Sequence, residues 1–504
     1  MSEKKNVLFI ITDAQRADHM SCAGNPTLKT PNLDRLASEG VRFTNHFCTN
    51  PICMPNRATL ITGVYPNVHG IRSNGINLRN DIPTIIQTLN KRGWYTAAIG
   101  KIHHQFWLAP FKHKYRSAES LDEWATKKMT SENFPLPYYG YEHVEVISGN
   151  GSVCAGHYSE WLEEKAPELA KEVNKRVQNY DNLFSLYCDE IPEELYNTTW
   201  VRERTLAFLE RYVRGDYGNK PFYLHCSFPD PHYPLYPPQN YQEKYKEEDI
   251  ELPPNFDNIS SLYDHEFLGY HLKNPPFKKA FLRESTEEEV RKITALTYAS
   301  IGYVDHSIGQ ILAYLEKIGY SDNTIVVFTS DHGDLMGDHG LLFKGPCPFN
   351  GVLQLPLIWK VPGLTKAGLV SDSLVSSIDY PKTILNLLDI KERYHPPDMQ
   401  GYDISPTLEN PSEKIRDCIL IENDEEIGTL EARLRHLITE DYKLTIYEDL
   451  PHFGDIYNRK NDPYELNNLW SDSENRDLRF ELVNKLLHEN LKAQTKYPKR
   501  IAGT

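Results

Sequence analysis

The chain has 504 residues, of which 40% are hydrophobic and 25% are charged, and its formal net charge is -15. A chain of this length exceeds one ordinary hydrophobic core, so we expect two domains, one of them large. The negative charge, with no long basic run to offset it, argues against a general nucleic-acid binder. An anionic ligand would therefore need positive charge that is concentrated locally.

The N-terminal residues lead directly into an apolar, strand-like segment at residues 6–11. They show no apolar stretch ending in a small-residue cleavage site, as a secretory signal would. No run of about 18 apolar residues predicts a membrane span. The eight cysteines show neither Cys-x-x-Cys pairs nor zinc-type spacing. We therefore expect a cytoplasmic protein with mostly reduced thiols and no membrane partner.

The first predicted strand, residues 7–12, is a continuous apolar run typical of a central parallel strand, and Asp13 follows it. Ligands bind at the carboxyl ends of such strands, and carboxylate oxygens suit divalent cations. Asp13 is therefore a candidate metal ligand, although a turn or capping role is commoner for such a residue. Ala14 offers no ligand atom, and Gln15 is a weaker candidate.

Residues 51–63 place Cys53, Pro55 and Arg57 at the start of a segment with helical apolar spacing. A helix N-terminus and a guanidinium give positive potential that favours an anion beside the thiol. Taken alone, the segment fits a buried structural cysteine equally well. The next loop contains Asn74, which is a candidate substrate contact or a simple turn residue.

Residues 81–92 predict a helix, and residues 94–99 predict a strand that ends at Lys101 and His103. Two residues apart in an extended chain, these side chains would point to the same side. Residues 104–220 are rich in tyrosine and irregular, with a helix predicted over 158–179. We interpret this region as an insertion that shapes a substrate pocket.

Two further strands end in polar residues. The strand at 221–228 leads to His232, which prolines on both sides hold in a restricted backbone. A capping box predicts a long helix from about residue 286 to 318. The strand at 324–329 then delivers Asp331 and His332, with Lys344 shortly after.

In order along the chain, these segments resemble the sulfatase family of the alkaline phosphatase superfamily. The resemblance rests on Cys-Met-Pro-Asn-Arg at 53–57, Gly-Lys-Ile-His at 100–103, Pro-His-Tyr-Pro at 231–234, Ser-Asp-His-Gly at 330–333 and Asp-Pro-Tyr-Glu-Leu-Asn-Asn-Leu at 462–469. Asn56 stands where the family has serine. Asn350 and Gln354 stand where it has glutamate and arginine.

This resemblance implies an α/β fold with a large mixed, mostly parallel sheet sandwiched by helices in a catalytic domain at residues 1–405. It also implies a smaller C-terminal α+β domain, residues 406–504, that carries a short antiparallel sheet.

The resemblance also implies hydrolysis of a sulfate ester. Cys53 would be oxidised by a maturation enzyme to formylglycine (3-oxoalanine), the nucleophile. The implied metal ligands are Asp13, Cys53, Asp331 and His332, with calcium favoured over magnesium or manganese.

The remaining implied roles concern the sulfuryl oxygens and the protons. Lys101, Lys344 and His232 would bind the oxygens, with Asn74 as a further substrate contact. His232, together with Lys344, would protonate the departing alcohol. The other implied roles belong to Arg57, which orients the nucleophile, Asp331, which accepts its proton, and His103, which deprotonates its second hydroxyl.

Two other functions remain open. The same nucleophile serves phosphonate monoester and phosphodiester hydrolases, but those relatives tend to lose the pair present here as Lys101 and His103. A catalytically silent anion-binding homologue is suggested by four departures that occur together, at Ala14, Asn56, Asn350 and Gln354. The expected partner is a small sulfate ester such as a sulfated sugar or an aryl sulfate, and a homo-oligomer is compatible with the sequence.

Overall fold

The computed structural model describes residues 4–108, 115–179, 185–188, 190–275, 282–427, 430–497, 499, 500 and 502. Its strands are β1 (Asn6–Thr12), β2 (Val41–Phe43), β3 (His46–Phe47), β4 (Tyr95–Lys101), β5 (His143–Asn150), β6 (Val153–Gly156), β7 (Phe222–Ser227), β8 (Arg283–Glu284), β9 (Thr324–Ser330), β10 (Leu341–Leu342), β11 (Leu357–Lys360), β12 (Leu369–Ser371), β13 (Val375–Ser376), β14 (Cys418–Ile427), β15 (Leu430–Thr439), β16 (Tyr442–Tyr447) and β17 (Gly454–Asn458).

The α-helices of the same residues begin with α1, just before β2, and end with α16 near the C-terminus. They are α1 (Pro31–Ser38), α2 (Cys53–Thr62), α3 (Pro66–His69), α4 (Ile85–Lys91), α5 (Leu121–Ala125), α6 (His157–Lys165), α7 (Pro167–Gln178), α8 (Asn197–Val213), α9 (Gln239–Gln242), α10 (Ile259–Leu262), α11 (Glu266–Lys273), α12 (Glu287–Lys317), α13 (Asn350–Leu353), α14 (Asp379–Leu387), α15 (Ser405–Glu409) and α16 (Arg476–Lys492). None of these described helices is long and apolar enough to span a membrane.

A nine-stranded sheet forms the centre of the larger part of the chain, in the order β12-β2-β11-β9-β1-β7-β4-β5-β6. Its five middle strands, β9, β1, β7, β4 and β5, are mutually parallel. All seven residues of β1 are buried, as expected for a strand covered on both faces. The five carboxyl ends therefore lie along one edge of the sheet.

The C-terminal sheet is antiparallel, with β14, β15, β16 and β17 in sequence order. Helix α16 packs against it, since Leu482 and Leu486 share a core cluster with Leu420 and Leu437. The expected α/β class, with a smaller antiparallel sheet near the C-terminus, is confirmed.

Three predicted elements differ from the structure. The helix expected at 81–92 begins only at Ile85, because the side chain of Thr84 caps it in a capping box with Gln87. The helix expected at 158–179 is two helices, α6 and α7, which Pro167 separates. The supposedly irregular region 104–220 contributes β5 and β6 to the central sheet. All eight cysteines lie within the described residues, and all are free thiols.

Candidate active site

Polar residues follow each of the five parallel strands at the shared sheet edge. Asp13 follows β1, Lys101 ends β4, and Asn150 ends β5. His232 comes five residues after β7, and Asp331 and His332 come directly after β9. Cys53 is the first residue of α2, and Lys344 lies two residues beyond β10. The structure thus brings the predicted strand-end residues together, and adds Asn150.

Four of these side chains form a compact set of metal-type donors: Asp13, Cys53, His232 and His332. One donor atom from each lies within 4.8 Å of the others. The Cys53 sulfur is 3.1 Å from His332 Nε2, which lies 3.2 Å from Asp13 Oδ1. His232 was predicted as an oxygen-binding residue, and the structure places it in this donor set as well.

Both histidines are held in the same tautomer. Nδ1 of His232 lies 2.7 Å from the carbonyl oxygen of Tyr233, and Nδ1 of His332 lies 2.7 Å from that of Gly333. A carbonyl oxygen can only accept, so each Nδ1 carries the proton. Each Nε2 therefore presents a lone pair to the centre of the donor set, as a metal ligand or a hydrogen-bond acceptor must.

The ammonium group of Lys344 is surrounded by acceptors. Its Nζ lies 2.9 Å from the Cys53 sulfur, 3.1 Å from His232 Nε2 and 2.6 Å from His332 Nε2. Three donors on the ammonium thus meet three acceptors. Burial raises the pKa of the Cys53 thiol, but the positive charge of Lys344, with His332 also in contact, outweighs burial and lowers this pKa to about 7.

The second lysine pairs with the metal-type carboxylate. Nζ of Lys101 contacts Asp13 Oδ2 and lies 4.0 Å from the Cys53 sulfur. It also lies 3.3 Å from Asn150 Oδ1, which can accept from it, whereas Asn150 Nδ2 lies 3.1 Å from the protonated Nδ1 of His232, a contact between two donors rather than a hydrogen bond. Asn150 therefore accepts from Lys101 and lies beside His232, the two side chains that were predicted to bind sulfuryl oxygens.

Asn150 was not predicted from the sequence. The segment before it, His-Val-Glu-Val-Ile, alternates polar and apolar residues, and Gly151 after it favours a turn. That strand-and-turn pattern could identify the end of β5. The irregular character predicted for residues 104–220 obscures it.

Arg57 lies beneath the site and holds Asp331. Its Nε donates to Asp331 Oδ2 at 2.7 Å, and its Nη1 donates to the carbonyl oxygen of Lys101 at 2.8 Å and to Ser227 Oγ at 3.0 Å. The side chains of Arg57 and Asp331 are completely buried. Arg57 therefore fixes the ends of β4, β7 and β9 relative to α2.

Asp331 is a weak base in this arrangement. Its Oδ1 accepts hydrogen bonds from the backbone N–H groups of Ala14 and His332. Burial raises the pKa of Asp331, but Arg57 and the nearby cations outweigh it and hold the pKa far below its ordinary value. Both oxygens of Asp331 already accept from Arg57 or from backbone N–H groups, so the expectation that Asp331 accepts the proton of the nucleophile is not favoured by the geometry.

His103 does not lie in an extended chain, so the predicted extended backbone between Lys101 and His103 was wrong. Its φ of 57° is left-handed, and its ring stacks on Trp107 at 3.7 Å between ring centres. Nζ of Lys101 lies 4.4 Å from the centre of the same Trp107 ring. Trp107 thus brings the two residues together. Burial and nearby cations lower the pKa of His103 well below its ordinary value, which keeps the ring neutral.

A buried carboxylate holds the backbone that carries His103. Glu119 Oε2 accepts from the His103 N–H at 2.6 Å, and Oε1 accepts from those of His104 and Gln105 at 2.9 and 3.2 Å. The hydroxyl of Tyr138 donates to Oε1 at 2.7 Å. Glu119 was not predicted, because nothing in its local sequence connects it with the end of β4.

Asn74 is exposed, and its Oδ1 accepts a hydrogen bond from the N–H of Met54 at 3.1 Å. This contact supports the first turn of the helix that carries Cys53. Gln15 does not join the donor set, because its amide binds Thr12 Oγ1 and the carbonyl oxygen of His19.

The departures from the family pattern have structural partners. The amide of Asn56 donates to the carbonyl oxygen of Asp331 at 2.6 Å, so it ties α2 to the end of β9. Oδ1 of Asn350 accepts from Lys443 at 3.2 Å, and Gln354 donates to the carbonyl oxygen of Thr44 at 2.6 Å. Asn350 and Gln354 bind other protein groups, and Asn56 supports the site.

Comparison with known proteins agrees with this geometry. A family model described as Sulfatase matches residues 5–390. A second one, described as N-sulphoglucosamine sulphohydrolase, C-terminal, matches residues 337–493. An arylsulfatase from Clostridium perfringens is 28% identical, with 97% of this chain and 95% of the relative covered. An N-acetylglucosamine-6-O-sulfatase from Bacteroides thetaiotaomicron is 27% identical, with 97% and 87% covered.

Two solved structures show the same fold. One is a protein in complex with its substrate D-glucosamine-2-N,6-O-disulfate, with a TM-score of 0.72, 22% identity, and 98% of this chain and 99% of that chain covered. The other is a phosphonate monoester hydrolase of Agrobacterium radiobacter, with a TM-score of 0.76, 24% identity, and 97% and 96% covered.

Proposed function

Because the chain belongs to the sulfatase family, we propose that it hydrolyses the sulfate ester of a sugar, with residue 53 as the nucleophile. The observation that carries the proposal is the position of Cys53, which contacts the Lys344 ammonium and His332 and lies 4.0 Å from Lys101. Two cations beside a nucleophile provide the charge that a transferring sulfuryl group requires. The sugar is supported by the relative named as an N-acetylglucosamine-6-O-sulfatase and by the glucosamine disulfate complex.

The donor set fits a divalent metal. Asp13 Oδ1 is buried and has no hydrogen-bond partner within the described part of the chain, which leaves it free to act as a ligand. His332 presents a lone pair beside it, and residue 53 supplies an oxygen in place of sulfur once it is formylglycine. Asp13, residue 53, Asp331 and His332 would hold the metal, and the predominance of oxygen donors favours calcium. When bound, the metal would add positive charge beside the nucleophile.

Other residues stabilise charge on the sulfuryl group and transfer protons. Lys101 and Lys344 stabilise negative charge on the sulfuryl oxygens, and Asn150 holds Lys101 in place. Burial, with a smaller contribution from nearby cations, holds the pKa of His232 well below its ordinary value, so its imidazole is neutral. Lys344 therefore carries the proton that reaches the departing alcohol, and His232 Nε2 orients it. His103, also neutral, accepts the proton that allows release of sulfate.

The experiment begins with the state of residue 53. Protein produced together with a formylglycine-generating enzyme is digested, and the peptide with residue 53 is weighed. Conversion makes this peptide lighter by hydrogen sulfide and heavier by one oxygen. Activity toward sugar sulfates should rise in proportion to the converted fraction, and Cys53→Ala should be folded and inactive.

A substrate series separates the sulfatase from the alternatives. Sugar sulfates, aryl sulfates and phosphonate monoesters are assayed with the same converted protein. Preferred turnover of a phosphonate monoester would assign the hydrolase alternative instead. Full conversion without turnover of any ester would support the silent homologue, and fully unconverted protein as active as converted protein would refute the proposed nucleophile.

A further inference from the structure

Strand β14 carries four acidic residues near its end, and one of them differs from the others. Glu422 accepts from Asn67, and Asp424 and Glu426 pair with arginines. Glu425 is only 2% exposed, and among the described residues no lysine or arginine forms an ion pair with it. Its Oε1 accepts from Ser73 Oγ and the N–H of Glu426, while its Oε2 is buried without any partner in the described structure.

A buried carboxylate oxygen without a hydrogen bond is costly. The group loses its contacts with water on burial, and this cost is larger when the group is charged. Burial accordingly raises the pKa of Glu425. Structural carboxylates of this chain such as Glu119 and Asp379 accept donors on both oxygens. The open acceptor on Glu425 therefore leaves a position for a donor from outside the described residues.

Glu425 lies next to the proposed active site by two routes. Ser73, which donates to it, precedes Asn74, and Asn74 accepts from the N–H of Met54 beside Cys53. Strand alternation places Glu425 on the same face as Ile421.

Ile421 belongs to the same hydrophobic cluster as Cys347 and Phe349, in the segment that follows Lys344. The charge of Lys344 also acts on Glu425 and lowers its pKa against the effect of burial. Glu425 thus lies between the two segments that carry the nucleophile and the proton donor.

We propose that Glu425 is a binding residue for the alcohol part of the substrate, where it accepts a hydrogen bond from a sugar hydroxyl near the sulfate-bearing carbon. This inference rests on the proposed sulfatase function. A carboxylate repels a second anionic group, so the subsite selects a monosulfated sugar against a disulfated one. It also contributes nothing to an aryl sulfate, which has no hydroxyl to donate.

The test compares Glu425→Gln with the parent protein on three substrates: glucosamine or N-acetylglucosamine 6-sulfate, a disulfated glucosamine and 4-nitrophenyl sulfate. Loss of a charged acceptor should lower kcat/KM for the monosulfated sugar by about 10- to 100-fold. The value for 4-nitrophenyl sulfate should stay within about twofold, and discrimination against the disulfated sugar should weaken.

Glu426→Gln is the matched control. It removes the same charge from the neighbouring residue, whose side chain pairs with Arg72 at the surface. It should leave the ratio between the three substrates unchanged. If Glu425→Gln does not fold, Ser73→Ala, which removes the hydroxyl that donates to Oε1 of Glu425, should show the same substrate pattern with a smaller change.

The possible results distinguish a failure of the Glu425 proposal from a failure of the sulfatase proposal on which it rests. An equal loss on all three substrates would show that Glu425 acts through Lys344, and no loss on the sugar would show that it binds no substrate. Either result overturns the subsite and leaves the sulfatase function standing. Failure of the parent protein to cleave any sulfate ester would overturn both.

Discussion

The substitution Glu119→Gln should disturb the position of His103 while leaving the rest of the fold intact, so it should lower turnover more than stability. The wild-type carboxylate accepts four hydrogen bonds, one of them on Oε2 from the N–H of His103. A glutamine has one acceptor oxygen, and it keeps most bonds by placing that oxygen at the Oε1 position. Its NH₂ group then faces the N–H of His103, so two donors oppose each other.

The energetic consequence follows from that geometry. One charge-assisted hydrogen bond, worth about 1.5–3 kcal/mol, is lost, and a buried backbone N–H is left without a partner. Part of this loss is offset, because burial raises the pKa of Glu119 and the neutral amide avoids the cost of a buried charge. We expect unfolding free energy to fall by about 1–3 kcal/mol.

Turnover should fall more than stability suggests. His103 has a left-handed backbone, which costs a non-glycine residue about 1–2 kcal/mol, and the Glu119 contact holds it there. Without that contact the backbone relaxes and the ring leaves Trp107. We expect kcat to fall by about 10- to 100-fold with little change in KM.

Urea unfolding and steady-state kinetics measure the two effects, with Tyr138→Phe as the control. That variant removes one donor from Oε1, on the side of the carboxylate away from His103. It should lose similar stability and keep kcat within about threefold. The reasoning is refuted if Glu119→Gln has wild-type kcat, or if Tyr138→Phe lowers kcat equally.

Three other predictions concern charge. Asp331→Asn should weaken metal binding by at least about tenfold in calorimetric titration, because a neutral amide replaces a charged oxygen donor; unchanged affinity would remove Asp331 from the ligand set. Lys101→Ala should lower kcat at least as much as it raises KM, since the charge that it meets is largest in the transition state; an effect on KM alone would restrict it to substrate binding. Burial raises the pKa of Glu145, but hydrogen bonds from His143 and Arg204 outweigh burial and lower it from 4.5 to about 2. Its ionised form therefore stabilises the fold at neutral pH, and Glu145→Gln should lose about 2–3 kcal/mol in urea unfolding at pH 7. The difference should shrink as pH falls below about 4.5, and a constant difference down to pH 3 would contradict this.

Much of the sheet edge could be predicted because buried parallel strands are visible in the sequence. The apolar runs before Asp13 and Asp331 marked β1 and β9, and the segments before Lys101 and His232 marked β4 and β7. Strands that are parallel and adjacent must deliver their ends to one edge. The meeting of these residues therefore follows from the strand assignments and the resemblance together.

The unpredicted residues reach the site from elsewhere in the chain. Glu119 contacts backbone 14 to 16 residues earlier, and Glu425 contacts Ser73 across 352 residues. A carboxylate that supports a remote loop has the same local sequence pattern as a surface carboxylate. His103 shows the opposite case, where the expected neighbour was right and the expected backbone was wrong, because its left-handed φ depends on the distant Glu119.

The charge balance at the site explains how an acidic chain can attract an anion. Arg57 and Lys101 pair with the carboxylates of Asp13 and Asp331. Lys344 contacts Cys53, and the thiolate of Cys53 makes the formal charges of the set sum to zero when it is ionised. Formylglycine carries no charge, so maturation leaves one positive charge in excess, and a divalent metal adds two more. A sulfate monoester carries one negative charge. Inside this buried site, which has an excess of positive charge, the attraction between opposite charges is stronger than in water. Maturation of residue 53 should therefore improve anion binding as well as create the nucleophile, and protein with the unmodified thiolate should bind a sulfate ester more weakly even before any chemistry occurs.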